Sequence, residues 1–226
     1  MDLTPGPENH TGISFSGELE RKGLHLLALA LPLGVLLLGR DVALMILLPV
    51  TGLALTADLL RDRYQWANRL VRDVFGRMMR TSELPPTGGG IVINGATWTL
   101  ISITLLVVLF PTPIAVVSFS MAMIGDAAAA LLGRKFGRHN WGRPGCTVEG
   151  SLAYAGAALL TGLLLVDLQA GLPGREAAAV LGGSIAAAVT EGLRLPGNDN
   201  VNAPLACALV VFLIERSLSL VAVLSF

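Results

Sequence analysis

Apolar residues come in long runs at 24–39, 42–60, 90–110, 114–132, 151–170, 177–192 and 203–226, and the polar stretches between them hold most of the charge. About 20 apolar residues carry one helix across a ~30 Å hydrocarbon core. The pattern therefore predicts an all-α fold, a polytopic integral membrane bundle of about seven transmembrane helices. Several runs have only 16 to 19 residues, so their helices must reach into the polar flanks or lie beside thinned lipid. Pro32 and Pro49 are expected to bend the first two helices.

One polar stretch has a period of its own. In DLLRDRYQWANRLVRDVFGRMMRTSE, Leu59, Trp66, Leu70, Val74 and Met78, with Ala67, Val71, Phe75 and Met79 beside them, recur at helical spacing. Six arginines occupy the remainder. This predicts an amphipathic helix over 58–82 lying along the membrane interface, either a plain surface element or a gate for a lipid. The following LPPTGGGIVING breaks it with two prolines and three successive glycines. Lacking the lysine and hydroxyl of a P-loop, that run reads as a re-entry turn. Residues 1–16 are polar with Pro5 and Pro7, which predicts a flexible tail, leaving 17–226 as a single transmembrane domain.

Composition agrees with this reading. Of 226 residues, 53% are hydrophobic and 14% charged, against about 25% charged in soluble domains, and the mean hydropathy is +0.68. Net charge is zero, so no nucleic-acid partner is expected, and the distribution of charge carries the information instead. With seven spans, 13 of the 16 Lys and Arg residues fall on one side, Arg40, Arg175 and Arg216 being the others. The positive-inside rule then places the N-terminus in the cytoplasm and the C-terminus on the opposite side. Cys146 and Cys207 are too few for a disulfide framework and read as free thiols. The first apolar run starts late and lacks a small-residue cleavage pattern, so no cleavable leader is expected.

Four polar clusters share the basic side. In ELERKGLH, Glu18, Arg21, Lys22 and His25 lie on one helical face, where snorkelling is the plain alternative to chemistry. In GDAAAALLG, Gly125, Ala129 and Gly133 form a small-residue stripe for close helix packing. Packing does not account for Asp126, since a carboxylate in the membrane costs ~2.5–3.5 kcal/mol at the helix centre; either a structural basic partner or a metal or hydroxyl ligand explains it. Next, Arg134, Lys135, Arg138, His139 and Arg143 lead to CTVEG, with Thr147 and Glu149. The fourth cluster, EGLRLPGNDN, holds Glu191, Asp199 and Asn200. Acids facing a basic loop are what a magnesium-bound polyphosphate requires.

These motifs resemble a known family. ExxRKxxH (Glu18, Arg21, Lys22, His25), GDAxAxxxGRxFGRH (Gly125 to His139, with Gly133 and Gly137), TxEGS (Thr147, Glu149, Gly150, Ser151) and Glu191 followed by DNxxxP (Asp199, Asn200, Pro204) are similar to those of the CTP-dependent lipid-alcohol kinases. That family includes dolichol kinase, phytol kinase and the yeast-type diacylglycerol kinase, and it is related to phosphatidate cytidylyltransferase. The likeness runs from about Glu18 to Pro204. The chain departs from the family at Cys146, where a lysine is usual, so that a phosphate contact is either missing or supplied by Arg143.

The resemblance implies a membrane-embedded catalytic domain that transfers the terminal phosphoryl group of CTP to a polyprenol, phytol or diacylglycerol. It further implies that Asp126, Glu149 and Asp199 hold Mg²⁺. Arg21, Lys22, Arg134, Lys135, Arg138, Arg143 and Thr147 would hold the nucleotide phosphates, and Asn200 the base or a phosphate. His25 or Asp126 would accept the hydroxyl proton, with Glu18, Gly125, Gly133, Gly137, Gly150 and Glu191 in support. Two alternatives are a CDP-lipid-forming cytidylyltransferase, which shares the GDA and TxEGS residues, and a transporter or non-catalytic membrane protein.

Overall fold

The computed structural model describes residues 23, 26–75, 84, 86–140, 146–170, 174–193 and 195–224. Among them are eight helices: α1 (Ala30–Leu38), α2 (Arg40–Arg63), α3 (Gln65–Phe75), α4 (Gly95–Leu109), α5 (Thr112–Phe136), α6 (Val148–Ala170), α7 (Gly174–Leu193) and α8 (Asp199–Leu224). Every predicted apolar run carries a helix. Five are long and apolar enough to cross a membrane, and α4 is a shorter apolar helix. The short runs gain length from their polar flanks, as α2 does by reaching Arg63 and α5 by reaching Phe136 through Arg134 and Lys135. Leu33, Leu37, Met45, Leu53, Leu152, Leu160, Leu164, Leu168 and Leu213 stand exposed. So much outward leucine fits helices solvated by lipid, and the chain has the build of an integral membrane protein.

The chain divides into two compact units, Gly52–Asn94 with Met1–Leu24, and His25–Thr51 with Gly95–Phe226; the division falls within α2. In the larger unit α5 is the central helix, touching α1, α4, α6, α7 and α8. Most of its apolar window is buried (72%), against 28% for α6, and Phe119, Met121 and Met123 sit in the core beside Ile103, Leu106, Val180 and Val211. Small residues let α6 approach it. A Cβ at Gly125 would come within 2.7 Å of the Tyr154 ring, and one at Gly150 within 3.3 Å of the Ala129 carbonyl. The stripe Gly125, Ala129 and Gly133 thus packs against α6, as the four-residue spacing predicted. At the other end of the unit Arg40 donates to the Phe110 and Val108 carbonyls, at 3.1 and 2.8 Å, and so caps the C-terminal end of α4. Buried polar groups also pair between helices: the Thr51 and Thr104 hydroxyls lie 2.8 Å apart. Cys146 and Cys207 are buried thiols, not joined in a disulfide.

In the smaller unit two expectations are corrected. The amphipathic helix was expected from residue 58, yet 58–63 belong to α2 and α3 begins at Gln65; residues 76–82 lie outside the described residues. The apolar run at 90–110 becomes helical only at Gly95, because the residues before it are held by the end of α2. Asn94 donates to Asp58 through its backbone N–H (3.0 Å) and its side-chain amide (2.8 and 3.0 Å). Asp58 also faces Arg61 at 3.6 Å, both being 3% exposed or less. One turn further on, the Asp62 carbonyl accepts from the Gly88 N–H, and its carboxylate from the Gly90 N–H at 3.1 Å. Gly88 and Gly90 have φ of +79° and +108°, values that favour glycine. The glycine run is therefore a turn tied to Asp62 of α2, and the segment after it is tied at Asn94 to Asp58. Along α3, Trp66 and Leu70 of the expected apolar face are exposed, while Ala67, expected beside them, is buried together with Asn68.

Candidate functional site

Three segments remote in sequence meet in the larger unit. α5 contributes Ala122, Met123 and Asp126, α7 contributes Glu191 near its end, and α8 contributes Asp199, Asn200, Ala203 and Pro204 from its first turns. With Tyr154 of α6 they line one cavity of about 10 Å³, which is space for a single water-sized atom. Tyr154 is 1% exposed. Its hydroxyl has no hydrogen-bond partner among the described residues. A buried hydroxyl without a partner costs about 1–3 kcal/mol, so a ligand oxygen entering the cavity would relieve a standing penalty.

Local sequence explains how α8 presents its acid. The Asn198 side chain accepts from the Asn200 N–H at 3.0 Å, an Asx N-cap. Asn202 donates back to the Leu195 and Pro196 carbonyls at 3.4 and 3.1 Å, and Gly197 turns the chain with φ +113°. Asp199 thus becomes the first residue of α8, where the helix macrodipole favours a negative charge. The Asn200 amide donates to the Gly95 carbonyl at 3.4 Å.

A second group gathers where α5 passes into α6. Thr147 caps α6, its hydroxyl accepting from the Gly150 N–H at 3.1 Å. The same hydroxyl lies against Gly133 and Gly137, where a Cβ would come to 3.1 and 2.8 Å of it. These glycines hence admit Thr147, and the GRxFG and TxEG motifs are the two halves of one helix crossing. Glu149 accepts from the His139 backbone N–H at 3.2 Å and meets its Nδ1 at 2.6 Å, while the His139 carbonyl accepts from the Val148 N–H at 2.8 Å. Arg134 and Lys135 occupy the last turn of α5, where basic groups complement the dipole. Arg134, Lys135 and Arg138 are exposed.

Of the residues singled out in the sequence, Asp126, Glu191, Asp199 and Asn200 come together at the cavity. Glu149, expected to share a metal with Asp126 and Asp199, does not line it and closes the loop with His139 instead. Thr147, Gly133, Gly137 and Gly150 form the helix crossing, and Gly125 makes room for Tyr154. Glu18, Arg21, Lys22, His25 and Arg143 lie outside the described residues. Among the described residues no three His, Cys, Asp or Glu side chains form a ready-made metal cage. Magnesium does not require one, since one or two carboxylates plus phosphate and water suffice.

Sequence reasoning missed Tyr154, for a tyrosine in an apolar run is unremarkable. It also missed Asp58, which sits in an apolar run as Asp126 does, and the rule that flags ionisable groups in membrane helices would have found it.

No protein-family model matches the chain, and no solved structure does. A similar protein is "Uncharacterized protein RP860" of Rickettsia prowazekii (strain Madrid E), 26% identical over 151 residues, which are 67% of this chain and 72% of that protein.

Proposed function

We propose that the protein is a membrane-embedded phosphotransferase that moves the terminal phosphoryl group of CTP, or another nucleoside triphosphate, to the hydroxyl of a lipid alcohol such as a polyprenol, phytol or diacylglycerol. The observation that carries this reading is the meeting of Asp126, Glu191, Asp199 and Asn200 around one cavity beside the Tyr154 hydroxyl, which has no partner among the described residues. The resemblance of the surrounding motifs to lipid-alcohol kinases supports it further. The carboxylates and the Asn200 amide are hard oxygen donors and suit Mg²⁺ held by one or two of them; when bound, the ion supplies charge neutralisation for the triphosphate.

In this mechanism the alcohol reaches the cavity from the bilayer side. Its oxygen attacks the γ-phosphorus while the bond from that phosphorus to the β–γ bridging oxygen breaks, and CDP leaves. The hydroxyl proton passes to Asp126, or to His25, and Tyr154 donates a hydrogen bond to an oxygen in the cavity. Arg134, Lys135 and Arg138 draw the nucleotide to the end of α5; Arg21, Lys22 and Arg143, which the resemblance also assigns to the phosphates, lie outside the described residues. The site faces the cytoplasm by the distribution of basic residues.

The test is an assay of the purified protein in detergent with Mg²⁺, γ-labelled CTP or ATP, and a panel of prenols, diacylglycerol and phosphatidic acid, the last being the lipid phosphate that a cytidylyltransferase needs, followed by mass spectrometry of the lipid. A kinase transfers the γ label to lipid and releases CDP. Release of pyrophosphate with formation of a CDP-lipid would establish the cytidylyltransferase alternative, and absence of any lipid product would end both.

A further inference from the structure

The smaller unit carries an aromatic pair where α2 ends. α2 runs to Arg63 and is long and apolar enough to cross a membrane. Tyr64 interrupts the helix and α3 starts at Gln65, so Tyr64 and Trp66 follow directly on the end of a candidate span. Their rings stack with centroids 6.5 Å apart and planes at 30°. Neither is covered, for Tyr64 is 45% exposed and Trp66 62%. Leu70, one turn beyond Trp66 and on the same face, is exposed, as is Leu59 in the last turns of α2.

The other face of α3 is fixed inward. Ala67 and Asn68 are buried, and the Asn68 amide donates to the Thr87 hydroxyl at 3.2 Å. That attachment sets the rotation of the helix and keeps Trp66 and Leu70 outside, so whatever covers them comes from beyond the unit. Along the chain the pair continues a surface that lipid already solvates, since Met45, Leu48 and Leu53 of α2 are exposed in the same way. Tyrosine and tryptophan favour the headgroup level, where the ring is shielded while the hydroxyl or indole N–H stays wet. Arg63, Gln65 and Arg69, all exposed, limit the depth, because their polar ends must remain among the headgroups.

We propose that Tyr64, Trp66 and Leu70 are a fixed anchor in the headgroup layer of the bilayer, holding α3 along the membrane surface. A helix pinned on one face by Asn68 and seated in lipid on the other serves as an anchor and not as a gate. The anchor shares no residue with the Asp126 cavity and does not depend on the kinase reading.

The experiment uses the full-length protein in phosphatidylcholine liposomes whose chains are dibrominated either at carbons six and seven or at carbons eleven and twelve, bromine being a contact quencher of tryptophan. The emission of Trp66 is taken as the difference between the parent and Trp66→Phe, so that Trp98 and Trp141 cancel. Circular dichroism checks the variant, and Trp66→Tyr serves as the reference should Trp66→Phe not fold. An interfacial helix sits about 5–10 Å into the boundary of headgroups and chains, so the shallow bromines should remove roughly twice as much Trp66 emission as the deep ones. Equal or stronger quenching by the deep bromines overturns the headgroup depth. No quenching by either, with Trp66 open to aqueous acrylamide, overturns the anchor, since the pair then stays in water. No quenching with Trp66 shielded from acrylamide in liposomes and in detergent alike overturns the lipid assignment in favour of a second copy of the chain on this face.

Discussion

The protein sets acidic groups among its helices in two places and treats them differently: Asp58 is buried, whereas Asp126 and Glu191 are half-buried and Asp199 is exposed. Asp58, in the smaller unit, is enclosed by Arg61 at 3.6 Å and by three hydrogen bonds from Asn94. Every direction from that carboxylate meets protein. In the larger unit Asp126, Glu191 and Asp199 border a cavity instead, with a tyrosine hydroxyl that finds no partner among the described residues. The two arrangements answer different demands. A carboxylate closed on its own neighbours fixes the chain; one left beside a space can meet something from outside. An ionisable residue in an apolar run signals only that its cost is recovered somewhere, and the groups around it tell which of the two has happened.

The comparison breaks most visibly at Asp58. Removing one member of a buried ion pair leaves the other charge uncompensated, which costs about 3–5 kcal/mol. Asp58→Ala should therefore lower the denaturation midpoint in detergent sharply, and 86–94 should become protease-sensitive as Asn94 loses its anchor. Replacing Arg61 by Met in the same chain should recover part of that loss, because no unpaired charge then remains buried. An unchanged midpoint in the single variant would show that Asp58 is not the closed structural group described above.

At Asp126 the expected loss is in chemistry. Asp126→Asn keeps the size of the side chain and removes its charge and its basicity. Phosphorylation of the lipid alcohol should fall about 10²- to 10³-fold, the usual effect of deleting one group that stabilises a transition state, while the unfolding midpoint stays close to that of the parent. Full activity in this variant would remove Asp126 from the mechanism.

The helix crossing should respond by an intermediate amount, and through packing alone. A side chain at Gly150 meets the Thr147 hydroxyl at 3.0 Å and the Ala129 carbonyl at 3.3 Å. Two of these neighbours belong to backbone or to a capping bond and have little room to give. Gly150→Val should cost about 1–3 kcal/mol by overpacking, whereas Gly156→Ala, with nothing within 4 Å of its Cβ, should be silent. Unfolding curves of the two variants in one detergent make the check.

How far the chain could be read in advance depends on where each signal lies. Helix number and class follow from the lengths of apolar runs, a one-dimensional property. Asp126 was legible because a carboxylate in an alanine run is locally anomalous; Asp199 and Asn200 stood out only in conjunction with the other acids and through the resemblance of DNxxxP. The pairing of Glu149 with His139 was not. It spans a loop of ten residues whose path no residue spacing reveals, so an acid that closes a loop looked like an acid that binds a metal. Asp58 was misread for another reason. It begins a stretch with its own helical period, and that period drew residues 58–63 into the amphipathic helix although hydrogen bonding keeps them in α2. Tyr154 carries no local anomaly at all; only burial and the lack of a partner distinguish it.

That tyrosine gives the finest test of the difference between the two places. Tyr154→Phe removes one oxygen atom and leaves the ring that Gly125 accommodates. Were the hydroxyl a structural group like the Asp58 carboxylate, its loss would destabilise the fold. Because it has no partner to lose among the described residues, the variant should be as stable as the parent, or more stable by about 1 kcal/mol as a desolvation penalty disappears. Lipid phosphorylation should nevertheless drop about 3- to 10-fold, the value of one hydrogen bond that forms only with a ligand oxygen present. Stability and activity moving in opposite directions would mark the cavity as built for a ligand, and a loss of stability with no change in turnover would make it merely an imperfectly packed part of the bundle.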